Sequence, residues 1–180
     1  MKVSAFIATS VDGYIARENG GIDWLSGRGN SGSGEDYGYR EFIRSVDGIV
    51  MGRNTYEKVL SFGSWPYGKK PVFVLSTEKL EIPKNIAKTV SQMSAPPKEI
   101  VTDLAKEGYK HLYVDGGRTI QDFLKAGLIQ QMIITMVPIL IGSGIPLFGS
   151  LPHDVRLRSL KTRQFDDGLV QCKYQVIGAG

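Results

Sequence analysis

Gly52, Arg53, Asn54 and Thr55 follow directly on the apolar run Ile49-Val50-Met51, and Glu57 stands three residues after Asn54. This order delivers a strand into a helix N-terminus, with a glycine to make the turn and a fixed cation beside it. Such a terminus presents unpaired backbone N–H groups and a positive dipole end, which together seat an anion. Asn54 and Glu57 have the spacing of a capping box. The device recurs where Leu112-Tyr113-Val114 leads into Asp115-Gly116-Gly117, after which Arg118 and Thr119 begin a helix and Asp122 completes a second capping-box spacing. Taken singly, each elbow is ordinary strand-turn-helix punctuation with a surface arginine. Taken together, they can hold two phosphates of one ligand, and a dinucleotide bearing a ribose 2′-phosphate and a pyrophosphate has two such groups.

The elements that must position these residues alternate along the chain. Val3 to Thr9 reads as a buried first strand, and the glycine-rich stretch from Arg17 to Gly34 as a long loop around one aromatic anchor, Trp24. Glu35 and Asp36 are expected in the opening turn of a first helix, whose inner face carries Tyr39, Phe42, Ile43 and Val46 at helical spacing. Pro71 to Leu75 is a continuous apolar strand ending in Ser76-Thr77, and a weaker strand falls near Thr89-Val90. Pro96-Pro97 opens a helix with Ile100, Val101 and Leu104 inward. Ile129 to Val137 is apolar enough for a central strand, and Asp167-Gly168 signals a hairpin whose second strand alternates Val170, Cys172, Tyr174 and Val176 with polar residues. This pattern predicts an α/β fold with three layers, a mixed but mostly parallel central sheet, helices on both faces and a C-terminal antiparallel hairpin.

Composition narrows the function. At 180 residues with 42% apolar content, the chain has the size of one ordinary domain with a real core. The single cysteine, Cys172, with only His111 and His153 as imidazoles, argues against a metal site and lacks the paired cysteines of zinc deaminases. No stretch approaches a bilayer-spanning length and the N-terminus is too polar for a signal, so a cytoplasmic location is expected. The net charge of +4 is spread along the chain, which suits a small polyanion better than a nucleic acid. Gly142-Ser143-Gly144 superficially offers a G-x-G, but Pro146 and the missing third glycine argue against a Rossmann fingerprint.

Five stretches then form a recognisable set: Ser10-x-Asp12-Gly13-Tyr14-Ile15-Ala16, Met51-Gly52-Arg53-x-Thr55-Tyr56-Glu57, Leu75-Ser76-Thr77, Gly116-Gly117-Arg118-Thr119, and Pro138-Ile139-Leu140-x-Gly142-x-Gly144-x-Pro146-Leu147-Phe148. Over nearly its entire length the sequence resembles the dihydrofolate reductase superfamily, and within it the C-terminal reductase domain of the riboflavin-biosynthesis deaminase/reductase. The resemblance implies a dihydrofolate reductase-like fold and an NADPH-dependent reductase. It implies that Arg53, Ser76 and Thr77, beside Leu75, surround the adenosine 2′-phosphate. Gly52, Asn54 and Thr55 would take the adjoining phosphate, Gly116, Gly117, Arg118 and Thr119 the pyrophosphate, and Ala8 and Ile15 would line the nicotinamide. A carboxylate before the first helix anchors the pteridine in dihydrofolate reductases. Asp36, with Glu35 as understudy, matches it, Thr135 matches the threonine bonded to that carboxylate, and Trp24 matches a tryptophan over the substrate. Asp36 and Glu35 read equally well as first-turn acids, and Trp24 as a loop anchor.

The sequence departs from that pattern in Asp115, which replaces a first glycine and puts the family's cis peptide in doubt, and in lacking a deaminase half. The substrate implied is a small heterocycle, in the riboflavin branch 5-amino-6-(5-phosphoribosylamino)uracil, with Arg17, Arg28 or Arg40 near its phosphate. Three rivals stand beside it: a dihydrofolate or pterin reductase, a non-catalytic NADPH-binding protein and, most weakly, a nucleic-acid binder. The apolar stretch Ile129 to Phe148 favours a homodimer.

Overall fold

The computed structural model describes residues 1–25 and 35–179. An eight-stranded sheet runs in the order β5-β4-β3-β6-β1-β7-β10-β9. Its strands are β1 (Lys2–Ser10), β3 (Gly48–Gly52), β4 (Val72–Leu75), β5 (Val90–Met93), β6 (His111–Asp115), β7 (Gln131–Val137), β9 (Val155–Gln164) and β10 (Val170–Ala179). From β5 across to β7 every pairing is parallel; β10 is antiparallel to both β7 and β9. A second, two-stranded sheet pairs β2 (Tyr14–Ala16) with β8 (Ile145–Pro146). The mixed, mostly parallel sheet with an antiparallel C-terminal hairpin is as the pattern predicts.

Side-chain alternation on the central strands sorts the helices into two layers. Ile49 and Met51 of β3 and Tyr113 of β6 pack with α1 (Tyr39–Ser45) and α2 (Arg53–Leu60), burying Phe42, Tyr56 and Val59. Val50, Leu112 and Val114 point the other way, onto α3 (Pro97–Lys106) and α4 (Gly117–Lys125), with Ile100, Leu104, Ile120 and Phe123 fully buried. Each fully buried aliphatic or aromatic side chain contributes roughly 1.5–3 kcal/mol, so these two faces hold the elbows in place. A third cluster gathers Trp24, Val137, Phe165 and Leu169.

The first helix starts later than expected. Tyr37 and Gly38 both take positive φ, 55° and 81°, so the helical turn begins only at Tyr39. Asp36 therefore lies outside α1 and reaches in from before it. The Gly142-Ser143-Gly144 stretch is structural: a Cβ on Gly144 would sit 2.2 Å from Ala16 O, so only glycine lets the chain pass β2. Asp12 Oδ2 accepts from Gly142 N–H at 2.8 Å, tying the exit of β1 to the same segment.

Candidate functional site

β3 feeds α2 on one face of the sheet and β6 feeds α4 on the other, although β3 and β6 are neighbours with Met51 opposite Asp115. Chain direction diverges here, and the crevice beyond the carboxyl ends of the strands at such a switch point is where open α/β sheets bind ligands. The two elbows interlock across it. A Cβ on Gly52 would lie 3.0 Å from Thr119 Oγ1, and one on Gly116 would lie 2.3 Å from Thr55 Oγ1. Gly116 also has φ 92°, which disfavours any other residue. Gly117 is hemmed by β2 and β8, since a Cβ there would stand 2.8 Å from Ile15 Cδ1 and 3.3 Å from Pro146 O.

Neither capping box forms. Gly52 and Gly116 occupy the N-cap positions, and among the described residues no side chain caps α2 or α4. Asn54 already lies inside α2, and Glu57 and Asp122 instead pair one turn back with Arg53 Nε at 2.7 Å and Arg118 Nε at 3.1 Å. Glycine N-caps leave the first-turn N–H groups unpaired by side chains, which suits an anion better than a capped helix would. Arg53 also donates to Glu78, in the turn that follows Ser76 and Thr77 at the end of β4. These carboxylates, Glu57 first, hold the guanidinium above its ordinary range. Ser76 Oγ donates to Glu78 O at 2.7 Å and Thr77 is exposed. Arg118 is exposed, so of the two elbow arginines only Arg53 reaches a neighbouring strand end. Two adjacent uncapped termini, glycines where Cβ atoms would intrude and an arginine at the next strand end fit the phosphates of a dinucleotide.

The expected substrate groups are arranged differently. Ala8 and Thr135 are register partners on β1 and β7, and Ala8 packs against the Trp24 cluster. Trp24 is 5% exposed and its Nε1 has no hydrogen-bond partner among the described residues. Asp36, however, accepts from Gly38 N–H at 3.0 Å through Oδ1 and from Arg40 N–H at 2.8 Å through Oδ2. Chiefly the Arg40 amide holds its carboxyl below the ordinary value, so Asp36 stays ionised as a cap for α1. Thr135 Oγ1 accepts instead from Gln171 Nε2 at 2.9 Å, and the same amide donates to Tyr37 O at 2.9 Å. Gln171, on the polar side of β10, thus makes the link assigned to Asp36 and Thr135. Its signal in the sequence was the alternation that set Gln171 apart from Val170 and Cys172. Glu35 pairs with Arg163 at 3.1 Å. Arg17 is held by a bidentate contact with Asp23, and Arg40 is solvent-exposed; Arg28 lies outside the described residues.

Asp115, in the sequence only a departure from a family glycine, is a group with chemistry. It ends β6 at the switch point, half-buried, with Gly116 N–H donating to its Oδ1 at 2.8 Å. Burial pushes its carboxyl up to about 6, and burial first, with the Asp115 charge second, keeps the hydroxyls of Tyr39, Tyr67 and Tyr113 protonated. A carboxyl that titrates near neutrality in a ligand crevice can hold or release a proton there. Its signal was available, because an acid at the C-terminal end of an otherwise apolar central strand is costly unless it has work to do.

Residues 1–171 match the family described as RibD C-terminal domain. The chain is 35% identical over 176 residues to the uncharacterized protein YwjB of Bacillus subtilis, covering 96% of this chain and 97% of that one. A crystal structure of a Shewanella sp. PV-4 protein named for riboflavin biosynthesis superposes with a TM-score of 0.91 at 45% identity, over 98% of this chain and 99% of that one. Dihydrofolate reductase of Enterococcus faecalis, complexed with NADP(H), shares the fold at a TM-score of 0.68 and 15% identity, over 98% and 96% of the two chains. The fold is dihydrofolate reductase-like. Among the described residues no helix is long and apolar enough to cross a membrane, and no cluster of three or more His, Cys, Asp or Glu could hold a metal ion.

Proposed function

The chain belongs to the RibD C-terminal domain family, and on that premise we propose that it is an NADPH-dependent reductase that transfers hydride to an electrophilic carbon of a small heterocyclic substrate. The observation that carries this reading is the pair of uncapped, glycine-led helix N-termini interlocked through Thr55 and Thr119 at the switch point. Arg53 with Ser76 and Thr77 takes the 2′-phosphate. The first-turn amides of α2 take the adjoining phosphate, and Gly116 to Thr119 the pyrophosphate. Ala8 and Ile15 orient the nicotinamide amide. The bound cofactor supplies hydride. The protein's own residues hold the charges on helix ends, so proximity and charge placement do the catalysis.

The substrate we infer is 5-amino-6-(5-phosphoribosylamino)uracil, whose C1′ gains one hydride as the C1′–O4′ bond of the ribose ring opens, while one proton goes to the freed O4′ to complete the ribitylamine. Asp115, with its carboxyl near 6, is the group at the switch point suited to holding that proton. A dihydrofolate reading asks for a carboxylate free to meet the pteridine, and Asp36 has both oxygens committed to α1. The test follows the absorbance of reduced nicotinamide with each substrate in turn. Oxidation driven by the phosphoribosylaminouracil supports the assignment. Oxidation driven by dihydrofolate alone overturns it, and tight NADPH binding without turnover on either substrate identifies a non-catalytic nucleotide binder.

A further inference from the structure

A groove of about 360 Å³ runs beside α1 over β7, β10 and β9, with Lys2 and His111 at one end and Tyr37 and Gly38 at the other. Lys2 and His111 pair at the amino ends of β1 and β6, four residues before Asp115, and so lie about 13 Å back along β6 from the crevice at about 3.3 Å per residue. Three ammonium groups, Lys2, Lys161 and Lys173, line it. Lys161 and Lys173 are direct cross-strand partners, an arrangement that is destabilising for like charges. Partial burial, then Lys173, lowers the Lys2 ammonium below its ordinary value, and among the described residues its one hydrogen bond is to Gln131 Oε1 at 3.2 Å. Glu41 is the one carboxylate in the lining, yet none of the three lysines makes an ion pair among the described residues.

Arg163, by contrast, is committed to Glu35 and to the face of Phe165, 4.3 Å from its ring centre. His111 is committed too: its Nδ1–H donates to Ser45 O at 2.9 Å, leaving Nε2 to accept from Ser4 Oγ at 2.8 Å. Lysine on an edge strand serves to keep the edge soluble, which accounts for Lys161 on β9. It does not account for Lys173 on the inner strand β10 or for the partly desolvated Lys2. Three converging ammonium groups are relieved by a ligand with more than one negative charge in a small volume. A phosphate group carries about −1.5 to −2, whereas a carboxylate carries one.

We propose that the groove of Lys2, Lys161 and Lys173 is a second anion site, taking a small phosphorylated molecule away from the dinucleotide crevice. The site stands whether or not the crevice binds NADPH. Titration of the full chain with inorganic pyrophosphate, followed by amide chemical shifts, tests it. Shifts are expected at Gln131, Gln171 and Lys173 with a Kd below about 1 mM. The double variant K161Q/K173Q is expected to weaken the groove response at least tenfold, K161R/K173R to retain it, and R53A to leave it unchanged. Shifts confined to Gly52–Thr55 and Gly116–Thr119, or a groove response that survives K161Q/K173Q, overturn the proposal. So does a second copy of the chain that covers these amides in solution and shields them from pyrophosphate.

Discussion

Asp115→Asn separates what the switch-point carboxyl does for the reaction from what it does to the fold. Burial raises this group from an ordinary 3.8 to about 6. A carboxyl raised on folding is bound more firmly as the neutral acid, so its ionisation works against the folded state. Below the ordinary value both states are protonated and Asp115 costs nothing. The cost grows as pH rises from about 4 to 6 and is full above that, at about 3 kcal/mol for a change of roughly two decades in the proton equilibrium. Asparagine keeps an Oδ1 to accept from Gly116 N–H and carries no charge. The variant should therefore match the parent near pH 4 and exceed it by about 3 kcal/mol at pH 7.5, as read from urea unfolding at a series of pH values. Turnover should fall at least a hundredfold in the same variant, and the parent's rate should drop as pH climbs through 6 and the proton is lost. A stability difference that is flat from pH 4 to 7.5, or a variant less stable than the parent at neutral pH, would refute the assignment of a costly charge at this half-buried position.

Arg53→Ala is expected to weaken NADPH binding roughly ten- to a hundredfold while leaving NADH within about twofold, since a charge-assisted contact to the 2′-phosphate is lost; calorimetry with both cofactors measures it. Equal losses for the two would place Arg53 elsewhere than the 2′-phosphate. Glu78→Gln should shift the preference further toward NADPH, because it frees the guanidinium and removes a neighbouring negative charge. Gly116→Ala combines a φ of 92° with a Cβ set 2.3 Å from Thr55 Oγ1, so a loss of about 2–4 kcal/mol in unfolding free energy is expected, with Thr55→Ala recovering only part of it. Phe148 and Met136, 44% and 38% exposed, flank an apolar depression with Cys172 and Tyr174, and sedimentation should reveal a homodimer that Phe148→Glu weakens.

Where one physical effect dominated, the sequence was a sufficient guide. Unbroken apolar runs at Ile49 to Met51 and Leu112 to Val114 became parallel strands because nothing but burial on both faces satisfies them, and Ile129 to Val137, apolar but for Gln130, Gln131 and Thr135, supplied the inner strand β7. Pro96-Pro97 opened α3 at Pro97 as proline's fixed φ requires. Competing local effects were harder to read. Asn54 and Glu57 had the spacing of a capping box, yet Gly52 took the cap and Glu57 found the arginine one turn back. Asp36 sat where a helical turn was expected to begin, but positive φ at Tyr37 and Gly38 moved the start to Tyr39 and turned the carboxylate into a cap. Pairings distant in sequence were invisible. Gln171 reaching Thr135, and Gly52 abutting Thr119, depend on strand register that no local pattern encodes.

The position of β1 also governs how the chain is born. Its residues Lys2–Ser10 are made before every other strand of the sheet, yet they lie between β6 and β7, pairing Val3 with Leu112 and Ala5 with Met132. During synthesis this oily ribbon has no neighbour until most of the polypeptide has been made, and a closure spanning so many residues is slow. Until β6 and β7 are made, β1 carries two unpaired edges, the condition in which an apolar strand is prone to aggregate.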